Sequence, residues 1–318
     1  MMTPRISILI PCYNEVENVK PMSEAVVKVL SDDLPQYDYE LVFIDNASCD
    51  GTRIELEKIC QNNPKIKAIF NIANFGQNSS PFYGMCQTTG DCTISMSCDF
   101  QDPVEMIPRM VEKWEEGHKI VSCVKSSSKE KGIVFFLRSV YYKLIKSMSN
   151  AEFIEHFTGF GLYDKSFMDL CRKLGDNQPF MRGIVGEYGN GFNLCTLEFE
   201  QPERVAGKSH NNFYTLYDAA MLSFTTYTKV GLRLASFIGY FVSIISFLVG
   251  VTYLIIKLKY WNDFNAGTAP LMVGMFFLGG VVLAFLGFIG EYIMNINIRV
   301  INRPVVVEEK RINFEEES

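Results

Sequence analysis

Short apolar runs rich in β-branched residues alternate with longer runs of helical spacing through the first 125 residues. Residues 6–10, 40–44, 66–70, 92–96 and 119–124 have strand patterns. Residues 16–30, 52–60, 78–89 and 104–116 have helical spacing. Strands alternating with helices predict an α/β fold with a mostly parallel, doubly wound sheet. Polar residues gather just past the strand ends, at Asn14 and Glu15, at Asp45, and at Asp99 and Asp102. In such a sheet they converge on one edge, where open α/β folds bind ligands.

The pattern then changes. Residues 126–131 (SSSKEK) read as a polar loop. Residues 135–148 read as an amphipathic helix carrying Arg138, Lys143 and Lys146 among aromatics. Such a helix lies on a membrane surface or packs on its own domain, and the pattern fits both. A basic turn at 204–210 (RVAGKSH) and a helical run at 212–228 follow. Residues 234–256 and 270–290 carry no charge. Each exceeds the ~20 apolar residues that a bilayer crossing needs. The rival is a buried helix pair, but core helices seldom stay uncharged for so long. Lys229 and Arg233 precede the first stretch, and Arg299, Arg303, Lys310 and Arg311 follow the second. The connecting segment has Lys257 and Lys259, offset in part by Asp263. This bias favours both termini in the cytoplasm of a two-span protein. The expected domains are 1–208 (catalytic), 209–232 (juxtamembrane helix), 233–295 (two spans with a short external loop) and 296–318 (cytoplasmic tail).

Composition excludes several classes. The net charge of −6 argues against nucleic acid as a partner. Nine cysteines show no C-x-x-C pair and read as small apolar residues. Three scattered histidines, His118, His156 and His210, form no zinc-like set. The N-terminus runs straight into a strand with no signal peptide. No G-x-G-x-x-G follows the first strand and no G-x-x-x-x-G-K-[ST] occurs, which disfavours dinucleotide oxidoreductases and P-loop enzymes.

The candidate chemistry lies in Ser97-Cys98-Asp99-Phe100-Gln101-Asp102-Pro103, between a strand and a helix. Two carboxylates and a carboxamide at a strand's carboxyl end suit Mg²⁺ or Mn²⁺ holding a diphosphate. The same residues also spell a helix start, with Asp102 as N-cap and Pro103 in the first helical position.

Taken together, several motifs resemble the inverting family 2 glycosyltransferases of GT-A fold, within them the polyprenyl-phosphate group of bactoprenol glucosyltransferases and dolichol-phosphate mannose synthases. They are Pro11-x-Tyr13-Asn14-Glu15, Asp45-Asn46-Ala47-Ser48-x-Asp50-Gly51-Thr52, Asn74-Phe75-Gly76, Asp99-Phe100-Gln101-Asp102-Pro103, Phe180-Met181-Arg182-Gly183, Arg204-Val205-Ala206-Gly207-Lys208-Ser209, Ile289-Gly290-Glu291-Tyr292 and Arg303-Pro304. The resemblance implies a Rossmann-like GT-A domain followed by two transmembrane helices. It implies a nucleotide site of Pro11, Tyr13, Asn14, Glu15, Asp45, Asn74 and Gly76, with Asp45 on the base and Glu15 on the ribose. Asp99 and Gln101 are the implied metal ligands. Arg182, Arg204 and Lys208 are implied to hold phosphate, and Asp99, Gln101, Asp102 and Arg182 to form the catalytic set. Anionic lipid headgroups are the rival partner for Arg204 and Lys208.

The implied reaction moves one hexose, glucose first, from a nucleotide-sugar (a UDP-sugar) to polyprenyl (undecaprenyl) phosphate at the cytoplasmic face of the plasma membrane. N-acetylglucosamine and galactose are alternative donor sugars, and a non-catalytic nucleotide-sugar-binding scaffold is the rival class. A processive polysaccharide synthase is disfavoured, because no Gln-x-x-Arg-Trp occurs. Relatives suggest a homotetramer. The chain departs from the group at Ser97, where an Asp is usual, at Thr158-Gly159-Phe160-Gly161-Leu162, where many relatives carry Gly-Asp-Phe-Arg, and at Lys125, where Arg is common.

Overall fold

A computed structural model describes residues 3–126, 154, 157–202, 230–259 and 268–314. The expected helices at 135–148 and 212–228, the loop beyond Ser126 and the basic turn with Arg204 and Lys208 lie outside those residues.

The strands are β1 (Arg5–Cys12), β2 (Asp38–Asp45), β3 (Ile66–Asn71), β4 (Cys92–Ser95), β5 (Ile120–Lys125), β6 (Phe157–Asp164), β7 (Leu194–Phe199) and β8 (Glu308–Ile312). They form one sheet in the order β7-β5-β6-β4-β1-β2-β3-β8. The block β4-β1-β2-β3 is parallel, as the alternation of strand and helix predicts, and β7 also runs parallel to β5. β6 and β8 are antiparallel to their neighbours. The sheet is therefore mixed outside its centre.

Helices α1 (Val19–Asp33), α2 (Thr52–Asn62), α3 (Gly76–Cys86), α4 (Met106–Glu115), α5 (Lys165–Leu174) and α6 (Met181–Tyr188) cover both faces. Strand side chains alternate between those faces. Ile6, Ile8 and Ile10 pack with Leu41, Phe43 and Phe70 beneath Val19, Met22 and Val26 of α1, Leu56 of α2 and Met110 of α4. Leu9, Val42, Ile44 and Ile69 point the other way. They pack against Phe82 of α3, Phe167 of α5 and Ile184 of α6. Two apolar layers on one sheet account for the burial that holds this unit together.

Two strands lacked a clear sequence signal. β6 contains Gly159 and Gly161, poor strand formers. Gly161 is required where it is, since a Cβ there would meet the Val121 carbonyl oxygen at 2.4 Å. β8 reads EEKRI, a charged sequence suited to an edge strand. It was expected to be part of a tail, yet it extends the sheet beside β3.

Two further helices, α7 (Val230–Lys259) and α8 (Thr268–Ile301), belong to a second compact unit. Both expose large apolar side chains, among them Phe237, Tyr240, Phe241 and Ile244 on α7 and Leu271, Leu283 and Leu286 on α8. Phe277–Ile301 has a mean hydropathy of 1.9 and no residue of its apolar window is buried. Among the described residues it is the one segment that meets the length and hydropathy of a membrane span. A soluble core helix of that composition would be buried.

Candidate active site

The carboxyl edge of β1, β2 and β4 is built from tight, sterically demanding turns. Asn14 (φ 56°), Ala47 (φ 63°) and Phe100 (φ 60°) all take left-handed backbone conformations there. Asparagine tolerates this region; alanine and phenylalanine seldom enter it. Strain of this kind concentrates at functional sites.

The turns after β1 and β2 are tied together. The Asn14 amide donates to Ser48 Oγ at 2.8 Å, and the Cys49 amide donates to Asn14 Oδ1 at 2.9 Å. The Glu15 amide donates to Thr52 Oγ1 at 2.9 Å, while the Glu15 carboxylate accepts from Asn18 Nδ2. Asp45 pairs with Cys12 in the parallel register. Its carboxylate accepts the Ser48 amide at 3.2 Å and lies 3.1 Å from Arg53 Nε. Its side chain is 0% exposed. Burial raises its pKa above the ordinary carboxylate value, although Ser48 and Arg53 oppose the shift. A base edge can reach this carboxylate only if part of its cover moves.

A carboxamide cluster closes the next corner. Asn46 Nδ2 donates to Asn74 Oδ1 at 2.9 Å, and Asn46 Oδ1 accepts from Asn71 Nδ2 and the Phe75 amide. The Gly76 amide donates to Asn74 Oδ1 at 2.9 Å. Asn74 and Gly76 thus set the start of α3, whose first turn supplies Gln77 and Asn78 to a cavity.

That cavity measures about 280 Å³. Of the expected site residues it brings together Pro11, Gln101, Asp102 and Arg182. Ser97, Lys125 and Thr158 add polar groups, and Phe82, Met85, Phe160 and Phe180 supply an apolar wall. Arg182 lies over the Phe180 ring at 5.1 Å. Asp99, Tyr13, Asn14, Glu15, Asp45, Asn74 and Gly76 do not line it. Lys125 and Thr158 line the cavity, although the sequence pattern marked them only as departures from the family and assigned them to no site. Lys125 ends β5, so the same rule that found Asp45 and Asp99 applied to it.

The turn after β4 differs from its expected form. α4 starts at Met106 rather than at Pro103, and its N-terminus has no side-chain cap. Asp102 is therefore not the helix cap. Its Oδ2 instead accepts the Ser97 amide at 2.7 Å, closing the Ser97–Asp102 loop on itself. Asp99 Oδ1 accepts the Gln101 amide at 3.2 Å. Asp102 is buried, and burial raises its pKa, with the nearby Asp99 charge adding to the rise and Lys125 opposing it. Ser97 Oγ is buried, and its side chain interacts with the Asp102 carboxylate.

Asp99, Gln101, Asp102 and Ser97 together present oxygen ligands, two of them carboxyl groups. A hard divalent cation suits this set, because it would relieve the repulsion between the Asp99 and Asp102 carboxyl groups. No cluster of three or more His, Cys, Asp or Glu residues occurs among the described residues. Any ion here relies on Gln101, Ser97 or water for part of its shell. The nine cysteines are all free and six are buried, as expected of small apolar residues.

The family model for glycosyl transferase family 2 matches residues 7–183, which span β1 to the first turn of α6. The chain is 32% identical over 307 residues to the SfII prophage-derived bactoprenol glucosyl transferase of Shigella flexneri, covering 96% of this chain and 98% of that one. It is 29% identical over 301 residues to the prophage bactoprenol glucosyl transferase homolog of Escherichia coli K12, covering 94% and 97%. Among solved structures, mannosyl-3-phosphoglycerate synthase from Rubrobacter xylanophilus aligns with a TM-score of 0.49 at 14% identity, covering 69% of this chain and 71% of that one. The chain belongs to glycosyl transferase family 2 and is a glycosyltransferase.

Proposed function

We propose that this enzyme transfers a single hexose, glucose first, from a nucleotide-sugar to polyprenyl phosphate, with inversion at the anomeric carbon. The observation that carries the reading is the cavity's lining. Ser97, Gln101 and Asp102 share it with the cations Lys125 and Arg182 and with the apolar side chains Phe82, Met85, Phe160 and Phe180. An anionic acceptor with a hydrocarbon tail and a sugar diphosphate donor match this mixture. The names of the Shigella flexneri and Escherichia coli relatives support a bactoprenol acceptor and a glucosyl donor.

A phosphate monoester has its second pKa near ~6, so its oxygen is already largely anionic at pH 7. The enzyme then needs position more than a strong base. Lys125 and Arg182 are suited to hold the acceptor phosphate, Arg182 through its bidentate fork. Asp102 fixes the Ser97–Asp102 loop and thereby the place of Gln101, and its carboxyl group would add negative charge beside the cation. Asp99 and Gln101 would hold Mg²⁺ or Mn²⁺, which when bound supplies positive charge to the departing nucleoside diphosphate. Tyr13, Asn14, Glu15 and Asp45 form the nucleoside half, with a UDP-sugar as the first candidate donor. Arg204 and Lys208 are further phosphate-binding candidates.

The membrane reading rests on chain topology. The chain leaves the sheet before α7 and rejoins it as β8 after α8. Between those points it crosses a bilayer an even number of times, so α7 and α8 cross together or neither does. The exposed apolar faces of both favour two crossings. The basic flanks Lys229, Arg233, Arg299 and Arg303 favour the sheet unit and both termini in the cytoplasm. A homotetramer, implied by the family resemblance alone, is part of this proposal.

Acceptor kinetics test the reading. Lys125→Met and Arg182→Gln should each raise the KM for undecaprenyl phosphate about tenfold and leave the donor KM within twofold. A rise in the donor KM alone would assign both cations to the diphosphate instead.

A further inference from the structure

Arg53, the second residue of α2, has no place in the motifs above, yet its guanidinium joins three elements. Nε lies 3.1 Å from Asp45 Oδ2 at the end of β2. Nη2 lies 2.7 Å from Glu309 Oε2 on β8 and donates to the Asn71 carbonyl at 3.2 Å at the end of β3. The group also lies over the Phe70 ring, 5.2 Å from its centroid. It therefore links a fully buried carboxylate to a surface one: the Asp45 side chain is 0% exposed and the Glu309 side chain 52%.

A planar fork can serve three acceptors in fixed directions, which a lysine ammonium cannot do. Asp45 in turn holds the Ser48 amide, and Ser48 Oγ accepts the Asn14 amide. Arg53 thus grips both turns of the nucleoside half through one buried ion pair. β8 is itself fastened to α2 by a second tie, since Lys310 pairs with Glu57 and lies 5.2 Å from the centre of the Phe70 ring.

We propose that Arg53 is a positioning residue for nucleotide binding, and that Glu309 makes the C-terminal strand part of the nucleoside half of the site. The inference rests on the reading that Asp45 belongs to that half.

The test uses the full chain in detergent with Mg²⁺ and UDP as the probe, read by titration calorimetry. Thermal unfolding is recorded for every variant. Arg53→Gln should raise the UDP Kd about tenfold, because it leaves a buried charge unpaired. Arg53→Lys should recover only part of that loss. Glu309→Gln, a surface change that spares the fold, should raise the UDP Kd about threefold. In all three the KM for undecaprenyl phosphate should stay within twofold. Combined with Asp45→Asn, Arg53→Gln should add no further loss, since both changes break one pair.

If Asp45→Asn weakens UDP binding while Arg53→Lys and Glu309→Gln leave it within twofold of wild type, the inference is overturned and the nucleoside reading stands. Losses that add independently in the double variant overturn it as well. If Asp45→Asn changes nothing, or the wild type binds no UDP, the nucleoside reading fails and the inference with it.

Discussion

At the residue scale the site turns on what Asp102 does. A helix cap would make it a local structural group. The structure starts α4 at Met106 and directs Asp102 to the Ser97 amide, on the wall of the cavity. Its pKa is raised by burial. A carboxylate whose folded pKa lies above the unfolded value stabilises the fold most below that unfolded value, and the contribution falls away as pH rises through the folded pKa. Neutralising Asp102 should therefore not destabilise the protein at pH 7. Asp102→Asn keeps an oxygen for the Ser97 amide and removes the charge. We predict that turnover falls about a hundredfold, with a Tm equal to or above that of wild type. Steady-state rates and thermal unfolding check this, and a large fall in Tm with rates preserved would make Asp102 structural. The motif itself was legible in the sequence. That Asp102 rather than Asp99 lines the cavity was not, because which way each side chain turns depends on the left-handed Phe100 between them.

At the element scale, alternation of apolar and polar positions placed the first five strands and four helices within a few residues of their observed ends. It worked because each of those strands buries a β-branched or aromatic run between two helix layers. β6 and β8 escaped it for opposite reasons. β6 trades strand propensity for the close approach at Gly161, and β8 is an edge strand whose charges face α2, the C-terminal end of α3 and solvent. The amino edge of the sheet carries its own electrostatic tie. Asp38 at the start of β2 accepts from Lys65 Nζ at 2.8 Å and Arg5 Nε at 2.9 Å, so three adjacent strands meet on one carboxylate. The hydrogen bond from Lys65, followed by that from Arg5, holds its pKa down at about 2. The stabilisation is present above the ordinary carboxylate value and is lost as pH falls through about 2. Asp38→Asn should lower the Tm at pH 6 and flatten its fall between pH 4 and 2. Equal acid slopes in the two proteins would remove Asp38 from this role.

At the scale of the whole molecule, the return of the chain into the sheet as β8 makes the membrane question one of parity. The two uncharged stretches were visible in the sequence; the strand that ties the far end of α8 back to the sheet was not. Under the proposed two crossings, the segment between α7 and α8 is expected on the opposite side of the membrane from the sheet. A cysteine introduced by Asn262→Cys, in a Cys49→Ser background, should react with an impermeant maleimide added to intact cells. Labelling only after the membrane is permeabilised would place that segment inside and remove both spans.

Transfer of one sugar to a lipid phosphate leaves a product that can be isolated and identified. The purified chain is incubated with undecaprenyl phosphate, Mg²⁺ or Mn²⁺ and each of UDP-glucose, UDP-galactose and UDP-N-acetylglucosamine, and the lipid fraction is analysed by mass spectrometry. A lipid-linked monosaccharide with the inverted anomeric configuration, formed from UDP-glucose above the others and abolished by EDTA, is the predicted result. No lipid-linked product from any of these donors, in a preparation that is folded and inserted in detergent or bilayer, would contradict the account.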